Sequence, residues 1–127
     1  MWTKAERRQA HLRSMRPFDL RGANLRYCLL TILEEERSAV SIDRLIWRLE
    51  RLGLRVGGTN PHKTVSDVLR YEVGLGRVER VARGTYRIGR PRPQTTVWRH
   101  RQRLRDLVAE GRRRGTGEAD SARWWVG

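Results

Sequence analysis

Cysteine occurs once in this chain, at Cys28, which excludes a disulfide framework and a thiolate metal cluster. Histidine is sparse and scattered: His11, His62 and His100 share no metal-ligand spacing with cysteine or acids. No glycine-rich phosphate loop is present, so neither a cofactor nor a catalytic centre is expected. Long apolar runs are missing too. The longest, "YCLLTIL", has seven residues and one threonine, too short to span a membrane. The opening "MWTKAERRQAHLRSMR" lacks the apolar centre of a secretory signal. These absences predict a soluble cytoplasmic protein in a reducing setting, with no membrane partner and no enzymatic activity.

Acids are also few. Fourteen stand against 28 bases, leaving a formal charge of +14 over 127 residues, with a sequence pI near 11.6. Such a surface repels itself and attracts polyanions. Lysine is nearly absent: apart from Lys4 and Lys63, the basic residues are all arginine. Guanidinium groups fork onto phosphates and guanine edges. Codon bias in a GC-rich genome explains arginine over lysine equally well, but it does not explain a twofold excess of bases over acids. The excess is greatest in residues 91–114, with eight arginines against two acids.

The hydrophobic share of 38% beside 33% charged residues fits one small core with polar appendages. "TKAERRQAHLRSMR" is patterned as a helix, with Ala5, Leu12 and Met15 to one side and a break at Pro17. A clearer helix is predicted over about 23–37, where Leu25, Cys28, Leu29, Ile32 and Leu33 follow the helical template. Glu34, Glu35 and Glu36 at its end oppose the helix dipole and are expected to mark fraying or a partner contact. "SAVSI" is a short extended segment, and Ser41 caps a second helix with Leu45, Ile46, Leu49 and Leu52 on its stripe. Gly53 ends that helix with Leu54 behind it.

In "NPHKTVSDVLRYEV", residues 60–73, Asn60 caps a third helix and Pro61 takes the first position. Val65, Val68, Leu69 and Val73 form one face. "RVERVARGTYRIG" then reads as a hairpin turning at Gly84, with Tyr86 and Ile88 on one side and Thr85 and Arg87 on the other. "RPRPQTT" is a stiff linker. Thr95 or Thr96 caps a last helix, about 97–110, carrying Val97, Leu104, Leu107 and Val108. The remainder lacks periodicity and is expected to be mobile unless Trp124 and Trp125 dock.

The expected fold is mainly α with a small β-hairpin (α+β), a winged helix-turn-helix core with N- and C-terminal helical extensions. The expected divisions are an N-terminal helical extension (1–21), the winged helix-turn-helix (22–89), a Pro-rich linker (90–96), a basic amphipathic helix (97–114) and a flexible tail (115–127). Residues 22–89, just over half the chain, resemble the HARE-type helix-turn-helix family of winged-helix domains. The resemblance rests on "LERLGLRVGGTNPHKTVSDVLR" and "GRVERVARGTYRIG", notably the Gly-Leu after the second helix, the Asn-Pro start with "TVSDVL", and the closing "GTYRI". It implies nucleic-acid business in chromatin, restriction or transcription. One relative in that family is an accessory subunit of a bacterial RNA polymerase.

A helix-turn-helix lays its recognition helix in the major groove, with the N-terminal part at the base edges. His62, Lys63, Ser66, Asp67 and Arg70 form the polar face of the third helix and are the expected base and phosphate contacts. Asp67 accepts from a cytosine amine or holds Lys63 or Arg70 in place. Without the surrounding charge, this face would read as an ordinary solvated surface. Arg80, Arg83 and Arg87 on the wing are expected to grip backbone or minor groove, with Arg90 and Arg92 of the linker beside them. "GRPRP" weakly resembles an AT-hook core, although a rigid linker explains it better. Arg99, Arg101, Arg103 and Arg105 lie along phosphates, or their helix pairs with its twin through Val97, Leu104 and Val108 to make a homodimer; folding back on its own domain is the alternative. Trp47 lies off the core stripe.

Double-stranded DNA is therefore the expected partner, for a small bacterial or phage transcriptional regulator. A sequence-tolerant, nucleoid-associated coating protein is the alternative. A winged helix that binds the transcription machinery is a third reading.

Overall fold

Seven elements follow one another in the computed structural model, which describes residues 3–7 and 19–126, with side chains of the last helix followed to residue 113. They are α1 (Gly22–Glu36), β1 (Val40–Ser41), α2 (Ile42–Arg51), α3 (Pro61–Gly74), β2 (Val78–Ala82), β3 (Thr85–Ile88) and α4 (Gln94–Val126). A further helical turn covers residues 4–7, where Thr3 and Glu6 cap each other reciprocally. The rest of the expected N-terminal helix, including Leu12 and Met15, lies outside the described residues. The fold is mixed α+β, with a three-stranded antiparallel sheet in the order β1-β3-β2. No helix among the described residues is long and apolar enough to cross a membrane.

Local chemistry accounts for most element ends. The Ser41 side chain accepts from the Arg44 N–H at 3.1 Å, and Asn60 accepts from the Lys63 N–H at 3.1 Å. Behind α2, the Leu54 and Gly53 N–H groups donate to the Leu49 and Glu50 carbonyls, both at 2.9 Å, with Gly53 at φ +78°. Behind α3, Arg77 and Gly76 repeat that pattern onto Glu72 and Val73, with Gly76 at φ +76°. Both ends are Schellman motifs, which need a left-handed residue that glycine supplies without strain.

The central element is α1. Its predicted stripe of Leu25, Cys28, Leu29, Ile32 and Leu33 is buried, but so are Leu30 and Thr31. A helix buried on most of its circumference needs a layer on each side. The α2–α3 pair and β3 supply one, and α4 supplies the other, with Leu104 and Leu107 joining the same hydrophobic cluster. Burial pushes the Cys28 thiol up to about 12, so it is an inert core residue.

Several expectations change here. The last helix begins at Gln94 rather than 97, because the Pro93 carbonyl accepts from the Thr96 and Val97 N–H groups at 3.0 and 3.1 Å. It runs to Val126 where a mobile tail was expected. Gly111, Gly115 and Gly117 weaken the helix, but no proline interrupts it. Its apolar stripe is no seam for a twin: Val97, Leu104 and Leu107 are buried within the chain and Val108 is packed against the core. The fold-back alternative accounts for the stripe.

"GRPRP" is strapped onto the fold, not free as an AT-hook would be. The Gly89 N–H donates to the Arg77 carbonyl at 2.8 Å, and a Cβ on Gly89 would lie 2.6 Å from the Gly76 carbonyl oxygen. Replacing Gly89 with alanine is expected to cost about 1–3 kcal/mol through this backbone collision. Asn60→Ala is expected to cost about 1 kcal/mol through loss of the cap. Urea unfolding of the two variants beside the parent checks both the size and the order of these effects.

Candidate nucleic-acid interface

The face opposite the buried Val65 and Leu69 of α3 is exposed, as its periodicity predicts. Lys63, Asp67 and Arg70 lie in water and Ser66 is half-buried. Lys63 Nζ sits 3.5 Å from Asp67 Oδ2, four residues on, so the carboxylate tethers the lysine within the helix. Both groups are more than half exposed, so the pair adds only a few tenths of a kcal/mol and yields readily to a stronger anion. Arg70 has no side-chain partner among the described residues.

The second helix brings this face and the hairpin to one end of the molecule. The Ile42 N–H donates to the Gly84 carbonyl at 3.1 Å, pinning the hairpin turn to the start of α2. The next residue, Asp43, places Oδ1 3.9 Å from His62 Nε2 at the start of α3. The first turn of α2 therefore lies between Arg83 at the hairpin tip and His62 and Lys63 at the head of α3. The sheet register reinforces this placement, pairing Val40 with Tyr86 and Ser41 with Thr85. A bulge at Val81 breaks the β2–β3 register and adds local twist.

The arginines divide into two groups. Arg80, Arg83 and Arg90 are exposed without a side-chain partner among the described residues. Arg87 is held across the hairpin by Glu79, with bonds of 2.9 and 3.2 Å. Arg92, expected beside the wing, is turned inward. Its side chain is only 6% exposed, and it reaches the Leu30 carbonyl and Glu34 Oε2, each at 3.4 Å. It is a strut between linker and α1, not a surface cation.

The arginines of α4 also separate. Arg103 donates to Asn24 Oδ1 at 3.0 Å, and Arg99 is exposed. Arg101 and Arg105 line a groove with Glu35 and Arg48, away from α3 and the hairpin. The four arginines therefore divide between two flanks of this helix.

Glu35 and Glu36 are counter-ions, not a frayed end. Arg48 bridges them at 2.8 and 2.9 Å, and Arg44 reaches Glu36 at 3.4 Å. The hydrogen bond from Arg48 is the main cause holding the Glu36 carboxyl below its usual range. Trp47 is about half exposed, with Arg44 and Arg51 guanidinium groups 4.9 and 5.6 Å from its ring centroid. The spacing 44, 47 and 51 already marks one helix flank in the sequence, but only Trp47 was conspicuous there.

Glu72, seven residues after Val65, lies on the apolar side of α3, a placement its helical spacing already carries. It is 1% exposed and accepts from Arg77, while Arg26 Nε approaches at 3.5 Å. Beside it, Tyr27 stacks on His100 with centroids 4.6 Å apart. Arg92 Nη1 lies 2.6 Å from His100 Nδ1. Arginine can only donate, so Nδ1 accepts and His100 is neutral with its proton on Nε2.

No protein-family model matches this chain, and neither a curated protein nor a solved structure matches it significantly.

Burial, then Arg92, Arg26 and Arg77, hold the His100 imidazole below its ordinary range, against a smaller upward pull from Glu72. The folded state therefore binds fewer protons here than the unfolded chain, and this contribution to stability is lost as pH falls below about 6.5. Urea midpoints measured from pH 7.5 down to 5 should decline, and His100→Phe should flatten that decline. The loss tied to Glu36 belongs to a lower window, below about 4.5.

Proposed function

We propose that this protein binds duplex DNA as a winged helix, with α3 as the recognition helix in the major groove and the β2–β3 hairpin as the wing on backbone or minor groove. The element order α1-β1-α2-α3-β2-β3 and the sheet order β1-β3-β2 support the fold reading. One observation carries the functional reading: the first turn of α2 bonds the hairpin turn through the Ile42 N–H and lies beside the head of α3, where Asp43 Oδ1 is 3.9 Å from His62 Nε2. The basic groups at that end then face one partner at once. His62, Lys63, Ser66 and Arg70 are the groups offered to bases and nearby phosphates, and Arg80 and Arg83 those offered to the backbone.

Charge supports the same reading. Glu72, Glu34, Glu35 and Glu36 are each paired with arginines of the same chain. Among the described residues, Arg70, Arg80, Arg83 and Arg90 remain exposed without a side-chain partner. Phosphates meeting them release counter-ions, which makes binding steeply salt-dependent. Within this reading the protein is a small transcriptional regulator with a preferred site.

Selection from a random duplex pool at about 150 mM salt tests the proposal. An enriched motif is expected. Lys63→Ala/Arg70→Ala should weaken binding to that motif by ~1–3 kcal/mol per base-reading contact and relax its sequence. Arg83→Ala should weaken all duplexes alike and reduce the salt slope by about one. Tight binding without a motif would reassign the protein as a sequence-tolerant coating protein, and absence of duplex binding would overturn the proposal.

A further inference from the structure

A groove of about 380 Å³ opens where the ends of α1 and α2 meet the middle of α4. That volume falls within the ~300–1,000 Å³ usual for ligand clefts. Its apolar lining is Leu52, just past the end of α2, with Leu104, Val108 and Ala109 from α4. Arg101, Arg105 and Arg112 line it from α4, and Arg48 lines it from α2.

The pattern along α4 is regular. Positions 101, 105, 108 and 112 follow one another at helical spacing, so cations and an aliphatic side chain share one flank. Glu35 is the one acid among the lining residues, and its Oε2 already accepts from Arg48 at 2.8 Å. Arg101, Arg105 and Arg112 have no side-chain partner among the described residues. An apolar cleft bordered by three unpaired guanidinium groups calls for an occupant with carboxylates around an aliphatic stripe.

We propose that this groove docks an acidic amphipathic helix of a partner protein. The aliphatic side chains of that helix pack against Leu52, Val108 and Ala109, above the buried Leu104, and its carboxylates pair with Arg101, Arg105 and Arg112. Helix-in-groove recognition draws affinity from the buried stripe and specificity from the flanking charges. A phosphate backbone would satisfy the arginines but bring no aliphatic side chains for the apolar lining. The groove shares no residue with the α3 face or the hairpin, so a protein partner and DNA can be held together.

The test uses the full chain and a fluorescein-labelled helical peptide of ~18 residues, with leucines at i, i+3 and i+7 and glutamates on both flanks, read by anisotropy. The peptide should bind, and Arg101→Glu/Arg105→Glu should lower its affinity by about tenfold or more. Neither arginine has an internal partner, so a thermal melt should match the parent. Arg112→Glu alone provides a milder second variant, expected to weaken binding in the same direction. Arg80→Ala/Arg83→Ala should leave peptide affinity unchanged. Equal binding by a scrambled peptide of the same composition would overturn the proposal, as would affinity unaffected by both charge reversals. Displacement of the peptide by a short duplex from the Arg80→Ala/Arg83→Ala protein would assign the groove to phosphates and overturn it equally.

Discussion

Every other element is placed by the need to cover α1 on both sides. One side carries Leu25, Leu29, Ile32 and Leu33, the other Leu30 and Thr31, and none can face water without exposing apolar area. The α2–α3 pair and the sheet close the first side. Helix α4 closes the second, so what the sequence presents as an extension belongs to the core. Its apolar stripe is therefore already used within one chain.

The join between α4 and the remainder is polar as well as apolar. Glu72, Arg77 and Arg26 meet beside the Tyr27–His100 stack, and Arg92 runs from His100 to Glu34. Buried charges are tolerated only when paired, and here each acid faces at least one arginine. The network ties the end of α3 and the start of the hairpin to α1, and ties the linker to α4. It thus fixes the outward parts of the molecule relative to its centre. Neutral His100 is integral to that arrangement, because a protonated ring would place two cations against each other.

The arginine excess consequently has two roles. One set is internal, neutralising the acids of α1 and α3 and spanning between elements. The other set remains in water, on α3, on the hairpin and along one flank of α4. Composition alone cannot separate them, since Arg92 and Arg90 stand two positions apart in the same Pro-rich segment. One is a buried strut and the other is exposed.

The features legible from the chain alone are local. Ser41, Asn60 with Pro61, and Gly53 declare helix ends because capping involves neighbours within a few residues. The stripe of α3 and the turn at Gly84 were legible for the same reason, and with them the exposed face holding Lys63 and Arg70. Long-range relations emerge only when the elements pack. The pairing of Glu72 with Arg26, the inward turn of Arg92, the pairing of Glu35 and Glu36 with Arg48, and the docking of α4 each join residues distant in the chain. Periodicity reports which residues share a face, not which element will cover it. A charged residue shows its sign in the sequence, but whether it meets water or a counter-ion depends on the packing of the whole.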